Sequence, residues 1–168
     1  MRTVTLVPVE EYLAAGYRPD REYLEGTILE RNVGEWDHSR LQALMSVYLH
    51  TREEQWKIRV VPEQRVQVQR DRFRVPDVCA VSASAGIEQI LTRPPLLCIE
   101  ILSPRDTMSE MQERIDDYLS FGVPSVWLLD PGKRRGWICT PGEMLEATGG
   151  TLRAAGSDIV VPMAGLFE

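Results

Sequence analysis

Leu96-Leu97-Cys98-Ile99-Glu100-Ile101-Leu102-Ser103-Pro104 is apolar throughout its first seven residues except at Glu100. A run of that kind suits a central strand covered on both faces, since an edge strand with one wet face would alternate. The segment from Arg74 to Ser82 has the same character and contains Val75-Pro76-Asp77-Val78. Each run therefore reads as a short buried strand holding one carboxylate, where an unpaired acid is expensive. Either the two acids are paired and neutralised, or they hold a metal ion. That alternative decides whether the protein is an enzyme.

Outward from these runs the chain alternates between helical and extended patterns. Toward the C-terminus, Ser109 to Phe121 reads as a helix stopped by Gly122 and Pro124. Ser125 to Leu129 follows as a strand, ended by Asp130-Pro131-Gly132. After Trp137 the chain is small, Gly-rich and weakly patterned, and terminal antiparallel strands are expected. Toward the N-terminus, Ile58 to Val61 and Arg65 to Gln69 read as strands, the second with one wet face, with a turn at Asp71-Arg72. From Asp37 or Ser39 to about Arg52, Leu41, Leu44, Met45, Tyr48 and Leu49 repeat at helical spacing and predict an amphipathic helix lying on a sheet. Before it come a short helix from Pro8 to Gly16 and a hairpin from Tyr23 to Glu30 around Glu25-Gly26.

At 168 residues with 43% hydrophobic content, the chain is long enough for one α/β domain spanning 1–168 and short for two. No stretch approaches the apolar length of a membrane span, and the N-terminus lacks a basic segment followed by an apolar signal core, so a cytoplasmic location is expected. Cys79, Cys98 and Cys139 show no metal-finger or disulfide spacing, and two of them lie in apolar runs where cysteine acts as a small hydrophobe. No Walker or dinucleotide glycine pattern is present.

The net charge of −6 argues against coating nucleic acid by bulk electrostatics, yet residues 52–74 carry seven Lys or Arg against four acids, a local +3 that leaves −9 elsewhere. Arg65, Arg70, Arg72 and Arg74 in this stripe can meet phosphates, or they can be solvated decoration on edge strands. Trp36, Trp56 and Tyr48 can stack on bases, although that spacing is commoner among core residues.

Asp77 and Glu100 are 23 residues apart on consecutive predicted strands, and adjacent strands would bring their side chains to one cation. A hard cation such as Mg²⁺ takes oxygen ligands, and the carbonyl of Ile101 offers a third. Such a centre can activate water and stabilise charge on a phosphate. His38, near the start of the long helix, and Glu63, between two strands, are further candidates for the site. Each also has an ordinary explanation, as a capping histidine or as an acid paired with a neighbouring arginine.

Pro76-Asp77, Glu100-Ile101-Leu102-Ser103-Pro104, Glu113-Arg114-Ile115, Phe121-Gly122-Val123-Pro124 and Trp127-Leu128-Leu129-Asp130-Pro131 together resemble the Uma-type putative restriction endonuclease family of the PD-(D/E)XK nuclease superfamily. The resemblance extends back through His38 to Tyr23-Leu24-Glu25-Gly26 and runs from about Val9 to Ile138. It implies a restriction-endonuclease-like core, a mixed central β-sheet flanked by helices, that cleaves DNA with Mg²⁺ (Mn²⁺ as substitute) as a homodimer. On that pattern Asp77 and Glu100 match the motif acids and bind the metal with Ile101. The superfamily pattern asks for lysine two residues after the glutamate, where this chain has Leu102. The family resembled here supplies it from the following helix, where this chain has Arg114. Arginine keeps its proton and cannot act as a general base, but it can contact phosphate or stabilise developing charge. A catalytically degenerate nuclease fold used for nucleic-acid binding or assembly is the competing reading, and a purely structural pairing of the acids with arginines is a third.

Overall fold

The computed structural model describes residues 5–32 and 34–168. Its centre is a six-stranded sheet in the order β10-β9-β8-β7-β6-β3. These strands are β3 (Ile58–Pro62), β6 (Val78–Ser82), β7 (Leu97–Ile101), β8 (Val126–Asp130), β9 (Arg135–Thr140) and β10 (Glu143–Glu146). Strands β7 and β8 run parallel and the other neighbours antiparallel, so the sheet is mixed. The parallel step requires a crossover, which is α4 (Met108–Phe121). Every residue of β7 is buried, as its uniform apolar pattern predicts.

Strand alternation divides this sheet into two faces. Leu97, Ile99 and Ile101 point to one side, where they pack with Leu41, Met45 and Leu49 of α2 (Trp36–His50). Cys98 points to the other and packs with Met111, Ile115 and Tyr118 of α4. Burying each such aliphatic side chain contributes on the order of 2 kcal/mol, so two sandwiched faces account for most of the drive to fold. The α2 face is closed by a hairpin of β11 (Thr151–Arg153) and β12 (Val160–Pro162), whose Leu152 and Val161 enter the same core. Trp127 Nε1 donates to the Arg153 carbonyl at 3.1 Å and ties this hairpin to the sheet.

A second sheet, in the order β2-β1-β5-β4, lies at the N-terminal side. It joins β1 (Glu22–Leu24) and β2 (Thr27–Leu29) to β4 (Val66–Gln69) and β5 (Arg72–Arg74). Glu25 and Gly26 both take positive φ, the requirement of the two-residue hairpin turn expected there. Tyr12 from α1 (Val9–Ala14) packs with Tyr23 and Phe73 on this sheet.

The structure corrects the sequence reading at two places. Arg74 to Ser82 is not one strand: β5 belongs to the small sheet and β6 to the large one, and Val75-Pro76-Asp77 carries the chain between them. Pro76 has no N–H to donate, and the Val75 amide donates to the Glu22 carboxylate at 3.2 Å, so the ladder ends there. The turn expected at Asp71-Arg72 falls one residue earlier, and Arg72 opens β5. A short helix, α3 (Glu53–Trp56), also follows α2.

Helix α4 is bounded at both ends by local chemistry. Thr107 and Glu110 form a capping box at its start, and Gly122 closes it at φ +112° with its amide donating to Leu119 and Tyr118 carbonyls. A Cβ at Gly122 would also come within 3.2 Å of the Pro94 ring. Gly122→Ala is therefore expected to lower stability by about 1–2 kcal/mol without altering the far-ultraviolet circular dichroism, measured by urea denaturation.

Candidate active site

The site forms where β6 and β7 meet the sheet change at Pro76. Val78 faces Ile99 and Cys79 faces Cys98 across the two strands, and that register carried one residue further sets Asp77 against Glu100. Both acids are buried. Asp77 Oδ2 accepts from the Ile101 amide at 2.8 Å, which locks the two strand ends together. Its Oδ1 accepts from Arg31 Nη2 at 2.6 Å, and His38 Nε2 lies 3.3 Å from Oδ2. Glu100 has one partner, Tyr118 of α4, whose hydroxyl donates to Oε1 at 2.6 Å.

Electrostatics at the pair are unequal in their consequences. Burial, then the charge of Asp77, pushes the Glu100 carboxyl up to about 8, although Arg114 and the Tyr118 hydrogen bond pull the other way. Burial alone would lower the His38 pKa, but the hydrogen bond and charge of Asp77 outweigh it and leave His38 raised. Its Nδ1 is buried with no partner among the described residues. Arg114 is raised as well: burial opposes its charge, and Glu22 and Glu100 more than compensate.

The structure brings together all six residues expected at the site, in different degrees. Asp77, Glu100 and Ile101 line one small polar cavity of about 20 Å³ together with His38, Arg114, Arg31 and Asp106. Glu63 stands at the rim, half exposed, with Oε1 3.6 Å from Arg31 Nη1. Arg114 does not point freely into this space, because its Nε donates to Glu22 at 3.2 Å. Glu22 itself is buried and also accepts from Arg74 at 2.8 Å. Of the two lysines in the chain, Lys57 and Lys133, neither lines the small cavity.

Three of the four arginines of the stripe are engaged by carboxylates. Arg74 is buried between Glu22 and Asp117, Arg72 pairs with Asp117 and Glu113, and Arg65 holds Asp20 through two nitrogens while lying over the Tyr12 ring. Their positive charge is met by carboxylates brought in from α4, β1 and the first loop. Arg70 is exposed at its turn. Sequence reasoning had no access to these acids because they are distant in the chain.

Arg31, Asp106, Tyr118 and Glu22 were not anticipated as site residues. Tyr118 was detectable in principle, since it lies four residues beyond Arg114 and shares its helical face. Arg31 and Asp106 sit in irregular segments with no periodicity to mark them. Asp106 is held by Asn32 at 2.6 Å and by the Ser103 amide at 2.8 Å.

The donor set fits a hard divalent cation. Two opposed carboxylates and the Ile101 backbone line a cavity large enough for one ion or water. Among the described residues no cluster of three His, Cys, Asp or Glu side chains converges as a metal cage. A site offering few protein ligands and leaving the rest to water or phosphate matches the habits of Mg²⁺ better than those of Zn²⁺.

A stability consequence follows for the metal-free protein. In the unfolded chain Glu100 ionises near 4.5, whereas in the fold it holds its proton up to about 8. The folded state binds more protons in that window, so this residue's contribution to stability is full below about pH 4.5 and is lost as pH rises toward 8. Glu100→Gln, which can still accept from Tyr118, should flatten that slope. At pH 8 it should exceed wild type by on the order of 2 kcal/mol in chelator-treated urea melts.

No helix is long and apolar enough to cross a membrane among the described residues. No curated protein matches the chain. The fold is shared with the crystal structure of a putative nuclease belonging to DUF820 from Anabaena variabilis ATCC 29413, at TM-score 0.81 and 23% identity over 96% of this chain and 97% of that one. At that identity the likeness is one of fold. The family model Uma2, described as putative restriction endonuclease, matches residues 9–160, a span that includes both strand acids, the hairpin and α4. The chain belongs to the Uma2 family of restriction-endonuclease-like proteins.

Proposed function

We propose that this chain is a Mg²⁺-dependent endonuclease that hydrolyses phosphodiester bonds in DNA. The observation that carries the reading is the opposition of Asp77 and Glu100 at an ion-sized cavity, within a family described as restriction endonuclease. Asp77, the Glu100 oxygen not engaged by Tyr118, and the Ile101 carbonyl would hold the cation. When bound, the ion would neutralise the acid pair, activate water and offset charge developing on the phosphate.

The protein's own groups divide the remaining work. Arg31, which bonds Asp77 in this structure, is the guanidinium best placed to turn to the phosphate once a cation takes over that carboxylate. Arg114, anchored by Glu22, acts through its charge on Glu100 and holds α4 to the acid pair. His38 lines the cavity with Nε2 beside Asp77, a position that suits it to phosphate contact. Glu63 at the rim orients solvent and steadies Arg31. A second copy of the chain, as a homodimer, belongs to this reading.

One observation favours the competing reading of a degenerate, binding-only fold: no lysine reaches the acid pair, and Arg114 is tied to Glu22. Cleavage of supercoiled plasmid with Mg²⁺ or Mn²⁺ separates the two. Wild type should nick the plasmid, and Asp77→Ala and Glu100→Ala should each reduce the rate at least 100-fold, with calorimetric loss of Mn²⁺ binding. Arg114→Lys should raise the wild-type rate. A silent wild type that stays silent as Arg114→Lys, yet binds DNA, establishes the degenerate reading.

A further inference from the structure

Beyond the acid pair, the small cavity opens into a groove of about 400 Å³ through His38, Ser103 and Asp106, which line both. That groove continues through Asp37, Pro131 and Gly132 into a recess of about 230 Å³. Trp36 lines the far recess and is 80% exposed, while Phe167, which lines the same recess, is partly buried against the core. An indole left in water on the first residue of a helix contributes little to folding. Its position at the far end of the path from the acid pair calls for another explanation.

The cations along this path differ from those around the acid pair and in the small sheet. Arg40 and Arg134 line the Trp36 recess and Lys133 the groove, and none of the three forms an ion pair among the described residues. By contrast Arg31, Arg65, Arg72, Arg74 and Arg114 are all neutralised by carboxylates. Asp37 and Glu168 also reach the recess, and Asp130 lines the groove with Oδ1 taken by the Lys133 amide at 3.0 Å. The field along the path is therefore mixed. A duplex, with its dense double line of phosphates, gains little from a mixed field on a protein of net charge −6. A single strand carries fewer charges per length, and stacking on an aromatic face does not depend on net charge.

We propose that this groove is the track for one nucleic-acid strand with unpaired bases. Trp36 stacks a base flanking the reacting phosphate, and Arg40 and Arg134 meet the phosphates beside it. The inference rests on the endonuclease reading for which phosphate reacts, and it narrows the substrate to an unpaired or locally opened strand.

Binding to a fluorescein-labelled oligodeoxythymidine, measured by anisotropy in chelator so that no cleavage occurs, tests the track. Wild type should bind the single strand more tightly than the same strand annealed to its complement, with quenching of tryptophan emission. Trp36→Ala should weaken single-strand binding roughly 5- to 100-fold, while Trp36→Phe keeps most of it. The double variant Arg40→Gln with Arg134→Gln should reduce the slope of log affinity against log salt by about 0.7 per lost phosphate contact. Equal binding by wild type and Trp36→Ala, a preference for duplex, or no binding by wild type overturns the proposal. Asp77→Ala separates it from the reading on which it rests. Tryptophan quenching retained in that variant, alongside a wild type that never cleaves, would leave the track standing and remove the endonuclease. Cleavage by wild type with no effect of Trp36→Ala would do the reverse.

Discussion

The structure depends on a change of sheet at Val75-Pro76-Asp77. One strand ends in the small sheet, the next begins in the large one, and the proline that cannot donate to a ladder marks the break. Because the break falls one residue before β6 begins, Asp77 escapes the regular ladder and uses its carboxylate to cap the Ile101 amide on the neighbouring strand. The same geometry places it against Glu100. A strand continuing smoothly through Asp77 would have left the acid in a sandwiched sheet with no cavity beside it.

Two acids brought together in a buried place must be compensated, and the compensation extends well beyond the pair. Arg31 and His38 engage Asp77, Tyr118 engages Glu100, and Arg114 bridges from Glu100's surroundings to Glu22. Glu22 in turn binds Arg74, which binds Asp117 on the same helix as Arg114. This chain of charges joins the small sheet, the large sheet and α4. Buried ion pairs contribute uncertain net stability, because desolvation offsets their attraction, but removing one partner leaves a stranded charge that is strongly destabilising. The network is better understood as what holds three elements in register around the acids than as a source of folding energy.

Much of the architecture was legible in residues that are neighbours in the chain. Helix α2 followed from the spacing of Leu41, Met45 and Leu49, and the burial of β7 from its uniform apolar run. The Glu25-Gly26 hairpin and the Gly122 stop came from backbone demands that only certain residues meet. The site was legible only in part. Asp77 and Glu100 stood out because acids in apolar runs are conspicuous, whereas Arg31 and Asp106 are polar residues in irregular segments, unremarkable until the fold closes over them. The partners of Arg65, Arg72 and Arg74 were illegible for a related reason: a local excess of positive charge says nothing about which distant carboxylates will meet it.

Local sequence thus determined where the strands and helices lie and which two carboxylates had to be accounted for, because periodicity, turn chemistry and the cost of a buried charge act between near neighbours or on single residues. Tertiary structure decided what those carboxylates face. Whether an arginine meets a phosphate or an aspartate, whether Trp36 is core or surface, and whether Arg114 reaches the cavity or is held by Glu22 depend on contacts between segments tens of residues apart. Such contacts are set by how the sheets and helices pack around the break at Pro76, and no local pattern encodes them.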